Sequence, residues 1–212
     1  MIPAPASQRL PAAAAALAVA LVAPACRGLR AGDLPLANRS TVPATGVRAI
    51  DWGNRDYAVV GLGTIAVHDG RAEFALDDDG QVSAAGASPA SLRVEPPLFV
   101  DIDGDGTEDA VIASEFATGG TGQFSSVVIY TLRGGAVVTL GEIPGGDRGD
   151  GGIRRVAIDP GGGAVLVDRN VLAEGDGACC ASTWRRERWI WRGGQMVEDD
   201  AARGPIEPVI GR

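Results

Sequence analysis

The sequence predicts a mostly β protein, in which antiparallel hairpins form a single sandwich, open barrel or partial propeller-like domain after an N-terminal signal helix. Two observations carry this class. From about Asp51 onward, short β-branched runs are broken by pairs of glycines, the pattern of strands joined by tight turns. No segment after the signal repeats its apolar residues at helical spacing. The 31 glycines follow no collagen-like period and therefore belong to turns.

The elements follow in chain order. Residues 1–25 carry one charge, Arg9, then an Ala/Leu/Val run from Ala12 to Val22 and a small-residue end, Ala23-Pro24-Ala25. These are the three regions of a secretory signal, and the apolar run is shorter than the roughly 20 residues that a membrane span requires. Leu21-Val22-Ala23-Pro24-Ala25-Cys26 is similar to a bacterial lipobox, with Cys26 as the residue to be acylated. It departs from that pattern in having Ala23 where leucine is usual, and simple secretion after an Ala-x-Ala cut is the alternative. Residues 26–50 are polar and dotted with Gly and Pro, and read as a flexible tether. The β-rich domain follows over 51–200, with 201–212 as a C-terminal tail.

Within the domain, Thr64–His68 and Arg71–Leu76 flank Asp69-Gly70, and Ser125–Arg133 and Ala136–Glu142 flank Gly134-Gly135. Thr183–Arg192 and Gln195–Glu198 flank Gly193-Gly194. Two-residue loops of this composition specify hairpins. Ile153–Asp159 and Ala164–Asp168 enclose the longer loop Pro160-Gly161-Gly162-Gly163. Trimming 25 residues from 212 leaves 187, enough for one domain with a sizeable core.

Asp101-Ile102-Asp103-Gly104-Asp105-Gly106-Thr107-Glu108-Asp109 is the segment that carries chemistry. Asp101, Asp103 and Asp105 supply carboxylates at alternate positions, Gly106 permits the sharp turn, Thr107 offers a backbone carbonyl and Asp109 closes the set. Like charges so close repel unless a cation neutralises them. Oxygen-rich, flexible coordination favours Ca²⁺ over Mg²⁺. Without an ion the same residues would form an acidic, solvated turn. The twelfth position is Ile112 rather than the glutamate of an EF-hand, and the flanks Leu98-Phe99-Val100 and Ala110-Val111-Ile112 are β-like. This DxDxDGxxD loop between strands resembles the calcium loops of FG-GAP repeats in integrin-type β-propellers. A single copy does not build a propeller ring.

All 19 cationic residues are arginine, and the formal charge of −8 becomes −9 once Arg9 is removed with the signal. Dispersed arginines on an acidic chain argue against nucleic acid. The exception is Arg185, Arg186, Arg188 and Arg192, interleaved with Trp184, Trp189 and Trp191: a stacking surface for a ligand, or a strand with one face in the core. Cys179 and Cys180 are adjacent, closer than an ordinary disulfide allows. They form either a vicinal disulfide or two buried thiols, with metal or redox work as a third reading. Arg148-Gly149-Asp150 is an RGD tripeptide in a Gly-rich loop, and such a tripeptide arises readily by chance in a chain of this composition.

The Asp-rich loop, Gly119-Gly120-Thr121-Gly122-Gln123-Phe124, the Cys179-Cys180 pair and the late Gly193-Gly194-Gln195-Met196-Val197-Glu198 occur in an order that resembles a group of bacterial secreted proteins and lipoproteins. In that group a "DLDGDGxxDAAVV…GGxGTF" run precedes a "CCP" motif and a terminal "GGKLVE". Here Ala181 stands where that group has proline. The resemblance covers roughly residues 51–199 and implies export, with no activity to carry over.

The functional expectation is an exported, lipid-anchored, calcium-stabilised β-domain in the bacterial envelope, in the periplasm or at the outer membrane if the cell is Gram-negative, and otherwise secreted. Its role is structural or binding, with a protein or glycan partner and the membrane reached through the lipid. The alternative is a secreted hydrolase with a calcium-supported site, in which Asp103, Glu115 or His68 would converge in one cleft.

Overall fold

The structure is a computed structural model that describes residues 45–209 apart from Ala87 and Ala178. Its strands form three antiparallel sheets. A ribbon pairs β1 (Asp56–Val59) with β2 (Gly63–Ala66). The six-stranded sheet contains β3 (Arg71–Leu76), β4 (Ser88–Val94), β5 (Leu98–Val100), β6 (Asp109–Ala117), β7 (Gln123–Arg133) and β8 (Ala136–Asp147). Its order is β3-β4-β6-β7-β8, with β5 sharing an edge of β6 with β4. The five-stranded sheet contains β9 (Ile153–Ile158), β10 (Ala164–Val171), β11 (Thr183–Arg192), β12 (Gln195–Glu198) and β13 (Glu207–Pro208). It runs β12-β11-β10-β9, with β13 on β11. No sheet closes into a barrel, and the arrangement is sandwich-like.

Strand β6 shows why the layers stack as they do. Ala110 and Ile112 enter one core cluster with Trp52, Tyr57, Ile65 and Leu92. Val111 enters the other with Val127, Ile129, Ile143, Val165 and Val167. Successive strand residues point to opposite faces, so an unbroken apolar run is what a strand covered on both faces requires. The ribbon covers one face of the six-stranded sheet, and the five-stranded sheet covers the other.

Three expected hairpins form as the glycine pairs direct. Gly134 and Gly135 have φ of 60° and 82°, and Gly193 and Gly194 have 62° and 86°, backbone angles that L side chains rarely adopt. β9 and β10 enclose the longer loop. The Asp69-Gly70 turn also forms, with φ of 50° and 77°, but the strands it joins share only the His68–Arg71 bridge. They then part, β2 to β1 and β3 to β4. Burial is the reason: Ile65 and Val67 pack into the same cluster as Leu92 and Val94, which lays the ribbon on the sheet face instead of extending its edge.

The folded part reaches beyond the expected 51–200 at both ends. Val47, within a 3₁₀ turn over Gly46–Ala49, is 1% exposed, and its carbonyl accepts the Trp52 indole N–H at 2.8 Å. At the other end, Glu207–Pro208 pairs with Thr183 and Trp184 of β11, and the Gly204 N–H donates to the Arg186 carbonyl. Apolar side chains and unfilled backbone partners on β11 hold segments that look like tether or tail by composition alone. The signal segment and Cys26 lie outside the described residues. No helix among the described residues is long and apolar enough to cross a membrane.

β11 is a strand whose alternate residues enter the core. Trp189 and Trp191 pack against the cluster between the two large sheets, and Glu187 is buried among them at 1% exposure. The Arg169 guanidinium donates to both Glu187 oxygens, at 2.9 and 3.0 Å. Arg185 and the Trp189 indole add bonds at 3.1 and 3.2 Å. Arg169 also donates to the Gly145 and Pro144 carbonyls of β8, each at 2.8 Å. Beside those carbonyls the β7–β8 ladder slips, between Phe124 and Ser126. A Cβ at Gly145 would lie 2.1 Å from the Ser125 carbonyl oxygen, so the bulge requires glycine there. One guanidinium thus joins a buried carboxylate in one sheet to a bulged strand of the next.

Candidate metal centre

The loop between β5 and β6 closes a short antiparallel hairpin, with Val100 opposite Asp109. Gly104 and Gly106, at φ of 78° and 87°, let the backbone fold over its own carboxylates. Asp101 accepts the Gly104 and Gly106 N–H groups at 2.8 and 2.9 Å. Asp103 accepts from the Asp105 N–H at 3.2 Å, and Arg133 approaches Asp103 at 3.5 Å. Glu108, at the outer rim, pairs with Arg48, whose guanidinium holds the carboxyl below its usual range.

One oxygen from each of Asp101, Asp103 and Asp109 lies within 4.8 Å of the other two, a set that could hold a metal ion. These are three of the four predicted carboxylates. Asp105 stays outside, accepting the Thr107 N–H at 2.7 Å, and Thr107 enters the loop through that bond.

Asp109 is the deepest member. It has no exposed surface, and its Oδ2 accepts the Ile102 N–H at 2.9 Å. Among the described residues its Oδ1 and the buried Thr131 Oγ1 complete no hydrogen bond of ordinary geometry, although the hydroxyl lies close enough to favour the charged carboxylate. Burial pushes the Asp109 carboxyl up, and the Asp103 and Asp105 charges add to this against the pull of the Ile102 N–H and Thr131. A buried carboxylate oxygen without a partner is costly. A cation shared with Asp101 and Asp103 would answer both the repulsion and the missing bond, so the donor set fits one.

Elsewhere, Cys179 and Cys180 form a vicinal disulfide with Cα atoms 3.7 Å apart. Both are exposed, which excludes two buried thiols. The RGD tripeptide is a 3₁₀ turn in which the Asp147 side chain accepts the Asp150 N–H at 3.1 Å and Asp150 caps in return. Asp103, Glu115 and His68 do not meet. Glu115 lines a cleft between the large sheets, and neither Asp103 nor His68 is among the residues lining it.

No family model matches this chain, and no curated protein or solved structure is similar to it. Fold and site together define a sandwich-like β protein with an aspartate cluster able to hold a metal ion.

Proposed function

We propose that this is an exported, calcium-stabilised β-domain that works by binding a partner rather than by catalysis, held at the bacterial envelope through a lipid on Cys26. The observation that carries the calcium reading is Asp109, a fully buried carboxylate with one oxygen that completes no ordinary hydrogen bond among the described residues, set against Asp101 and Asp103. The all-oxygen donors, the glycine-permitted loop and its resemblance to FG-GAP loops support calcium over smaller ions. The ion's contribution is charge neutralisation at the junction of β5 and β6. An exported site of this kind stays filled at external calcium levels even with a Kd of about 10⁻⁴ to 10⁻³ M.

The test is thermal melting of the purified protein in calcium and in chelator. At free calcium a hundredfold above Kd, binding contributes about 2.7 kcal/mol, and a domain of this size gains roughly 2–4 °C per kcal/mol. A rise of about 5–10 °C is therefore expected. Identical melting temperatures in calcium and chelator would end the calcium reading.

The anchor rests on the signal and lipobox-like segment ending at Cys26. Two or three acyl chains on one cysteine hold a protein firmly on a bilayer. In a bacterial host, Cys26→Ser is expected to abolish fatty-acid labelling and release the protein from membranes. A variant that stayed labelled and membrane-bound would refute the anchor.

A further inference from the structure

Between the six-stranded sheet and the edge strand β9 lies a cleft of about 520 Å³, within the ~300–1,000 Å³ range of small-molecule sites. The Ile153 N–H of β9 turns to Ser125 Oγ at 3.1 Å instead of to another strand. At the same place the β9–β10 ladder slips: Asp168 faces Arg155 and Arg169 faces Ile153, leaving Arg154 as the extra residue. Bulges re-aim side chains. Here the bulge leaves Arg154 and Arg155 both exposed, and both line the cleft.

Among the described residues neither arginine makes an ion pair, whereas Arg185, Arg186 and Arg188 on β11 all do. The Arg154 guanidinium rests 5.8 Å from the Trp184 ring centroid. On a chain of formal charge −8, two such guanidiniums side by side mark a place where an anion is drawn in. The planar guanidinium matches a carboxylate or phosphate edge.

The facing wall selects between anions. It carries Glu115 of β6 (already accepting from Gln123), the Arg93–Glu95 ion pair, and the hydroxyls of Ser125 and of Ser126, the latter bonded to Ser114 at 3.1 Å, over an apolar floor that includes Val111 and Ala113. Glu115 repels a bare, multiply charged anion but accepts hydrogen bonds from hydroxyl groups, and the serines add further donors and acceptors. The complementary ligand carries one carboxylate and several hydroxyls.

We propose that this cleft binds a small acidic carbohydrate, its carboxylate on Arg154 and Arg155 and its hydroxyls on Glu115 and the serines. A narrower cleft of about 170 Å³ shares Glu115, Ser125 and Ile153 and continues to Cys179, giving a second sugar room toward the vicinal disulfide. The assignment names the ligand for the binding role proposed above and rests on that role, independently of calcium.

The experiment is calorimetric titration of the purified protein with glucuronate, with glucose as the neutral match and with inorganic phosphate. Glucuronate is expected to saturate one-to-one while glucose and phosphate do not. The R154A/R155A double variant should bind glucuronate about a hundredfold more weakly, the loss of at least one charge-assisted hydrogen bond from each guanidinium. Its melting temperature and calcium shift should be unchanged. Arg192→Ala, which removes an exposed arginine outside the cleft, should bind like the parent. Absence of saturation by glucuronate, equal binding of phosphate, or equal weakening in Arg192→Ala would overturn the assignment. A preserved calcium shift alongside any of these results would leave the calcium reading standing and remove only this one.

Discussion

Replacing Glu187 by alanine is expected to lower the melting temperature by roughly 6–20 °C, because breaking a buried ion pair from one side costs about 3–5 kcal/mol. The carboxylate is 1% exposed and accepts from Arg169, Arg185 and Trp189. Removing it leaves the Arg169 guanidinium between two sheets with only the Pro144 and Gly145 carbonyls as partners. Replacing both members, as in Arg169→Met with Glu187→Leu, should cost less than the single change, since no uncompensated charge is left behind. A double variant at least as unstable as Glu187→Ala would show that the pair acts through packing instead.

The same group sets an acid limb. Burial pushes the Glu187 carboxyl up, but bonds and charge from Arg169, with help from Trp189 and Arg185, outweigh it and hold the group below its usual range. A carboxyl depressed on folding contributes its stability above the unfolded value of about 4.3 and loses it as pH falls through the lower folded value. The melting temperature of the parent should therefore fall more steeply with pH in that acid window than that of Glu187→Gln. Parallel slopes would contradict the assignment.

Asp109→Asn is expected to abolish the calcium-dependent rise in melting temperature while leaving the calcium-free protein at least as stable as the parent. It removes a ligand, and it also removes a buried like charge whose carboxyl is already pushed up by burial. Asp105→Asn should keep most of the calcium shift, because Asp105 lies outside the three-carboxylate cluster. Melting curves of both variants in calcium and chelator decide the matter. A full shift in Asp109→Asn, or an equal loss in the two variants, would refute the geometry of the centre.

Much of this molecule is legible in its residue order, and the remainder is hidden for identifiable reasons. Glycine pairs mark hairpins because local backbone angles demand them, and Gly134-Gly135 and Gly193-Gly194 behave accordingly. Asp69-Gly70 specifies its turn equally well, yet the chain beyond it is governed by Ile65 and Val67 seeking a distant core. Turn chemistry is local and layer assignment is not. The aspartate spacing identifies Asp101, Asp103 and Asp109, but not that Asp105 turns back to its own loop. Glu187 is missed because its neighbours are arginines, which suggest a solvated face. Its spacing is the overlooked clue: a lone acid two residues before Trp189 and four before Trp191 shares their inward side. The partner, Arg169, lies on another strand, and single-chain spacing cannot supply it. The Arg154 bulge depends likewise on register with β10.

The single bridge between His68 and Arg71 has a further consequence. No ladder of backbone bonds ties the ribbon of β1 and β2 to the six-stranded sheet; beside isolated bonds such as Val94 N–H to the Gly70 carbonyl at 2.8 Å, its hold is the burial of Trp52, Tyr57, Ile65 and Val67. Displacing that layer would leave the strand pairing of the sheet beneath it intact, whereas displacing β6 would break the ladders to β4, β5 and β7. Cold weakens apolar burial while sparing hydrogen-bonded ladders. Cooling is therefore expected to raise amide exchange in β1 and β2 before it does so in β6.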